Sequence, residues 1–290
     1  MTGTHRILDA HLHVWDLSVS EYAWLPPAHG RLRASFTPQK ARRELTAAGV
    51  DAAILVQAED SEGDTTYLLD VASHQPWVAG VVGWIQLDDP ERAEQQLARW
   101  TAHPAFCGIR HLVHNDPRND FLALPNVRRS LAMVAELGLP FDVPDAWPRH
   151  LEGTVSLARA VPGLSIVLDH LGKPPRDAVG QDRWRLCLRE LAACPNTTAK
   201  VSGLQTPGQP FTPEAIRPAW DTAVELFGPS RLMYGGDWPM TTDFGGYPAA
   251  LSLATTLAEQ LSPRERGQLF AGTAERVYHR TVQEGGDQRA

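Results

Sequence analysis

The chain has 290 residues, 43% hydrophobic and 21% charged, with a formal net charge of -7, which suits a globular protein with enough apolar material for a core. The acidic balance offers no basic stripe for a phosphate backbone, which excludes nucleic acid as a partner. No run approaches the ~20 apolar residues of a membrane span, so neither membrane nor nucleic acid is expected as a partner. A homo-oligomer is compatible with this composition. Cys107, Cys187 and Cys194 show no C-x-x-C spacing, and the N-terminus has no signal-peptide pattern. Both points lead to the expectation of a cytoplasmic protein with reduced thiols.

The first predicted strand covers residues 7–13 and carries His11 and His13, whose i, i+2 spacing on an extended segment aims both rings to one side. A loop over 14–36 follows, rich in Trp15, Tyr22, Trp24, Pro26 and Pro27, with the length and aromatic content of a lid. Thr37-Pro38 reads as an N-cap and a first-turn proline, opening a helix that ends near Gly49. Apolar runs then alternate with amphipathic ones. Strands are expected over 50–57, 78–87, 106–112, 140–143, 164–170, 197–202 and 231–234, and helices over 65–74, 90–102, 125–137, 148–161, 184–193, 213–227, 248–260 and 263–278. The tail over 284–290 is polar and expected to fray.

Strands alternating with helices mean βα units, parallel pairing and either an open doubly wound sheet or a closed barrel. Eight units, with no glycine-rich phosphate motif after the first strand, favour a single-domain (β/α)8 TIM barrel of the α/β class over residues 1–290. In that fold the chemistry sits at the carboxyl ends of the strands. Those ends carry His11 and His13, Gln57, Trp84 and Gln86, Arg110 and His111, Asp142 and Asp145, Asp169 and His170, Ser202, and Asp237. A lone polar residue there is usually a solvated loop start, and a histidine pair near a terminus is often a surface feature. A ring of such residues is better explained by one pocket.

Three histidines (His11, His13 and His170) and Asp237 can bind one divalent ion, zinc above all, or arrange a water without metal. In either case Asp237 is the expected general base. Only Lys40, Lys173 and Lys200 are lysines, so a lysine bridging two metals has almost no candidate, and any metal site is expected to be mononuclear. Arg110, at the fourth strand end, suits fork recognition of a substrate oxygen or carboxylate, against the alternative of a structural salt bridge.

The segments Asp9-Ala10-His11-Leu12-His13-Val14-Trp15-Asp16, Leu55-Val56-Gln57-Ala58, Gly80-Val81-Val82-Gly83-Trp84, Gly108-Ile109-Arg110-His111, Val167-Leu168-Asp169-His170-Leu171-Gly172-Lys173-Pro174, Lys200-Val201-Ser202-Gly203-Leu204 and Gly235-Gly236-Asp237-Trp238-Pro239, taken in order, resemble the amidohydrolase-related barrels of the amidohydrolase superfamily, specifically its sugar lactonases. The resemblance implies a catalytic centre of His11, His13, His170 and Asp237, with Arg110 as the fourth-strand arginine. It also implies a hydrolase that opens a lactone. The alternative within the superfamily is a metal-dependent, non-oxidative decarboxylase. The pattern departs from the lactonases at Leu12, Gln86, Val143-Pro144-Asp145, Gly236 and Thr273, all beside the centre rather than in it. Arg110, His111, Gln57, Trp84, Trp24 and Asp145 are the expected substrate-binding residues.

Overall fold

Eight parallel strands, β1 (Leu8–Leu12), β2 (Ala52–Val56), β3 (Val78–Gly83), β4 (Phe106–Arg110), β5 (Phe141–Val143), β6 (Ile166–Leu168), β7 (Thr197–Val201) and β8 (Leu232–Tyr234), pair in chain order in the computed structural model, which describes residues 6–25 and 27–279. The two ends of the sheet meet just past β8, where Leu12 bridges Trp238 in parallel. There the His13 amide donates to the Trp238 carbonyl and the Asp237 amide to the His11 carbonyl, each at 2.8 Å. The chain is the (β/α)8 TIM barrel that its alternating pattern predicts. Pro26 of the aromatic loop and the tail 284–290 lie outside the described residues.

The outer ring comprises α1 (Pro38–Ala47), α2 (Glu62–His74), α3 (Pro90–Thr101), α4 (Pro125–Glu136), α5 (Leu151–Ala160), α6 (Ala178–Ala192), α7 (Pro213–Phe227) and α8 (Gly246–Leu257), followed by the short α9 (Pro263–Gly267) and α10 (Thr273–Val277). The Thr37 side chain caps α1 as expected, accepting from the Lys40 amide. Helix α6 starts six residues before the expected Trp184, because Asp177 accepts from the Gly180 amide at 2.7 Å and supplies an N-cap in front of a glycine. The single closing helix expected over 263–278 is instead broken by a π-helical turn at Gln268–Gly272. No described helix is long and apolar enough to cross a membrane.

Inside the barrel, Leu8 and Ala10 of β1 cluster with Ile54, Val56, Val167 and Met233, and Tyr278 joins them with its hydroxyl donating to Asp142 Oδ2 at 2.7 Å. Strict alternation would turn Leu12 inward after Leu8 and Ala10. Leu12 instead packs in the outer core between sheet and helices. The pairing explains the change: Asp9 faces Ala53 but Leu12 faces Leu55, three steps on β1 against two on β2. This β-bulge reverses the parity of the strand and brings His11 and His13 to the interior.

Candidate active site

The i, i+2 histidines converge edge to face, with ring centroids 4.8 Å apart and Nε2 atoms 3.1 Å apart. His170 reaches the same volume from the turn after β6, its ring 4.5 Å from that of His11. Asp237, past β8, completes the group. Its Oδ1 lies 3.9, 3.6 and 4.0 Å from the Nε2 atoms of His11, His13 and His170 respectively. All four residues are buried.

Each ring is held by its other nitrogen. His13 Nδ1 donates to the Val56 carbonyl at 2.8 Å, since a carbonyl oxygen can only accept. His170 Nδ1 pairs with Ser202 Oγ at 2.9 Å. His11 Nδ1 stands 3.3 Å from Asp169 Oδ1. Burial pushes His11 and His170 below the usual histidine range, overcoming the pull of Asp169 on the first and of Asp237 on the second. Burial acts on Asp237 in the opposite sense, yet the facing His170, His13 and His11 leave its carboxyl well below the usual range and ionised. Gln205 Nε2 donates to Asp237 Oδ2 at 2.7 Å, which leaves Oδ1 toward the histidines.

Backbone conformation is part of this placement. His170 and Asp237 both lie at positive φ, 58° and 49°, a region unfavourable to side chains and concentrated at functional sites. Gly203 is needed where it is: a Cβ there would stand 2.2 Å from His170 Nδ1. Gly236 backs onto Tyr247 and Asp9, with an added Cβ 2.5 Å and 2.6 Å from their side chains. Asp9 ties the barrel seam, accepting from the amides of His11 and Gly236 and from the Tyr247 hydroxyl.

Beneath the four groups lies a buried charge layer. Lys200 Nζ donates to Asp142 Oδ2 at 2.6 Å and lies 3.0 Å from Asp169 Oδ1. Arg110 Nε donates to Asp169 Oδ2 at 2.9 Å, and its Nη1 donates to the Gln57 carbonyl at 3.0 Å. Burial raises the Asp169 carboxyl, and Lys200, His11 and Arg110 outweigh it, so Asp169 stays ionised. Asp142 is pushed up to about 6 by burial, against the pull of Lys200.

Above the centre opens a cavity of about 450 Å³, a size usual for small-molecule sites. His13, His170, Asp237, Arg110, Trp24 and Asp145 line it, with His114, Asn115, Lys173, Gln205, Met240, Leu112 and Ala58. Gln57, Trp84 and His111 do not. Trp84 Nε1 donates to His111 Nδ1 at 3.0 Å, and the imidazole stacks on Phe121 with centroids 4.4 Å apart. Gln57 Nε2 donates to Asp60 Oδ1 and to the Arg110 carbonyl. His111, adjacent to an inward Arg110, points outward, and all three residues make their contacts outside the cavity lining. Sequence reasoning missed Gln205, His114 and the role of Lys200. Gln205 lies in a loop without a signature, whereas Lys200 carried a legible signal as a lysine within a buried strand.

A sequence model of one family, described as amidohydrolase, matches residues 8–280. The chain belongs to the amidohydrolase family. This amidohydrolase is 35% identical to an L-fucono-1,5-lactonase of Burkholderia ambifaria over 99% of both chains. It is 33% identical to an L-fucono-1,5-lactonase of Burkholderia multivorans, covering 95% of this chain and 96% of the other. Among solved structures, an amidohydrolase from Burkholderia multivorans with bound zinc superposes with a TM-score of 0.84 at 30% identity, over 94% of this chain and 99% of that one.

The donor set fits a single divalent ion. Ligands roughly 2.0–2.1 Å from a shared zinc stand about 3 to 4 Å apart, as His11 Nε2, His13 Nε2 and Asp237 Oδ1 do at 3.1, 3.9 and 3.6 Å, and His170 Nε2 stands 4.0 Å from the same Oδ1. Asp169 also comes within reach of His11 and His170, but Arg110 and Lys200 already engage it.

Proposed function

We propose that this amidohydrolase is a lactonase that opens a sugar lactone or related cyclic ester by attack of water at the His/His/His/Asp centre. The observation that carries this reading is the Asp237 carboxylate, held by Gln205 at Oδ2 and facing three imidazoles with Oδ1, beneath a cavity sized for one small ring. Its similarity to two L-fucono-1,5-lactonases supports the same reading. His11, His13, His170 and Asp237 would hold one divalent ion, for which zinc is proposed. When bound, that ion would supply Lewis-acid polarisation of the lactone carbonyl and lower the pKa of a water.

Ionised Asp237 accepts the proton of the attacking water at Oδ1 and returns it to the ring oxygen as the C–O bond breaks. Trp24, Leu112 and Met240 cover the site with apolar surface, strengthening the electrostatic contacts beneath. The decarboxylase alternative is less well supported, because the two curated relatives of this chain named above are lactonases. A cytoplasmic setting rests on the cysteine pattern alone.

An indicator assay for proton release across sugar lactones, run beside metal analysis of the purified protein, tests the proposal. Proton release that disappears in Asp237→Asn by roughly 10²–10⁴-fold, the usual weight of general acid–base catalysis, is the expected result. Release of CO₂ from aromatic acids with no lactone opened would overturn it.

A further inference from the structure

Beside the catalytic centre, the cavity lining carries hydrogen-bonding atoms that no protein group uses. Asp145 Oδ1 and Gln205 Oε1 are buried without a hydrogen-bond partner, as is His114 Nδ1, and all three residues line the cavity. Leaving a buried polar atom unpaired is costly, so three lining one cavity indicate partners that arrive with a ligand. Asp145 is also held at φ 42°, in the left-handed region where strain gathers at functional sites.

Two cations line the same cavity: Arg110 donates from Nε to Asp169 and from Nη1 to the Gln57 carbonyl, and Lys173 Nζ donates to the Gly203 carbonyl at 2.7 Å. His114 adds no charge near neutral pH, because burial pushes it down to about 4 despite the nearby Asp145. A ligand carboxylate would meet the Asp145 carboxylate and the Gln205 carbonyl oxygen. A ligand hydroxyl can donate to each of them and accept from or donate to the imidazole.

We infer that Asp145, His114 and Gln205 form a hydroxyl-reading subsite, and that it selects neutral, multiply hydroxylated lactones over carboxylated or unsubstituted ones. The inference rests on the lactone-opening reading of the centre and deepens it. A site built around hydroxyl partners rejects analogues that lack them more strongly than an apolar pocket rejects added bulk.

The test compares kcat/KM for three probes on the metal-loaded enzyme: a polyhydroxylated aldono-1,5-lactone, unsubstituted δ-valerolactone and a carboxylated lactone. Wild type should prefer the hydroxylated probe over each of the others by about 10²-fold or more. In Asp145→Gly, which tolerates positive φ, that ratio should fall at least tenfold. In Asp145→Asn, which keeps an acceptor and also tolerates the conformation, preference over δ-valerolactone should be largely retained while discrimination against the carboxylated probe shrinks. A wild-type ratio within threefold of unity, or ratios unmoved in both variants, would overturn the inference while leaving the lactonase reading intact. Failure of all three probes would instead remove the reading on which it rests.

Discussion

Lys200 Nζ lies 3.2 Å from His11 Nδ1 and 2.6 Å from Asp142 Oδ2, so the ring that faces Asp237 on one edge rests on a fully buried ammonium on the other. Burial acts to lower the Lys200 pKa, and Asp142 and Asp169 more than reverse it, holding the ammonium charged. Lys200→Met would leave both carboxylates in the barrel interior without that cation. Removing one partner of a buried pair costs about 3–5 kcal/mol, and urea unfolding should show a loss of that order. Adding Asp142→Asn should restore part of it, because one uncompensated charge is then gone. A single variant as stable as wild type would mean that the carboxylates take up protons instead.

The glycine at 203 makes a sharper demand on geometry. At φ +56°, a side chain there is unfavourable by about 1–2 kcal/mol, and its Cβ would also occupy the place of His170 Nδ1. Gly203→Ala should therefore fold with a modest drop in melting temperature and lose at least about 10²-fold in kcat/KM, since a small misplacement at the centre costs that much. Divalent metal retained on dialysis should fall with it. Full metal retention and unchanged kinetics would show that His170 can move aside without consequence.

These two residues mark where the sequence was informative and where it was not. Strand alternation and the strand-end rule located His11, His13, His170 and Asp237, because a barrel must bring its first and last strands together. The same rule overreached at His111 and Trp84. A strand end identifies which residues are near the mouth, while the two-residue period decides which of them face it, and a bulge such as that between Asp9 and Leu12 shifts the period without any residue announcing it. Lys200 was read only as a missing metal bridge, since nothing local reveals that Asp142 and Asp169 approach it from the two preceding strand ends. Gln205 needed the fold itself, because its amide meets Asp237 across a long stretch of chain.

Asp64 gives a prediction in pH. Its carboxyl is pushed up to about 7 by burial, despite hydrogen bonds from the Tyr22 hydroxyl and the Ala58 and Glu59 amides. In the unfolded chain it titrates near 3.9, so between about pH 4 and 7 the folded state binds more protons. Stability attributable to this group must then fall as pH rises through that window and level off above it. In urea titrations across pH, wild type should lose ground against Asp64→Asn from about pH 4 to 7 and hold a constant offset beyond. A difference independent of pH in that interval would place the carboxyl at its ordinary value.

The aromatic loop divides into two roles. Trp15 and Tyr22 are fully buried, with Trp15 Nε1 donating to the Ala34 carbonyl at 2.7 Å and the Tyr22 hydroxyl donating to Asp64 at 2.8 Å, so both cap the barrel. Trp24 meets Trp15 edge to face at 5.5 Å and presents itself to the cavity. Trp15→Ala should accordingly cost about 3–5 kcal/mol, as large aromatic truncations in cores do. Trp24→Ala should raise KM or lower kcat with a much smaller loss of melting temperature, because what it removes is apolar cover over the substrate. If Trp24→Ala instead left the kinetics unchanged and unfolded as readily as Trp15→Ala, the whole loop would be a structural cap and the cover over the site would have to come from elsewhere.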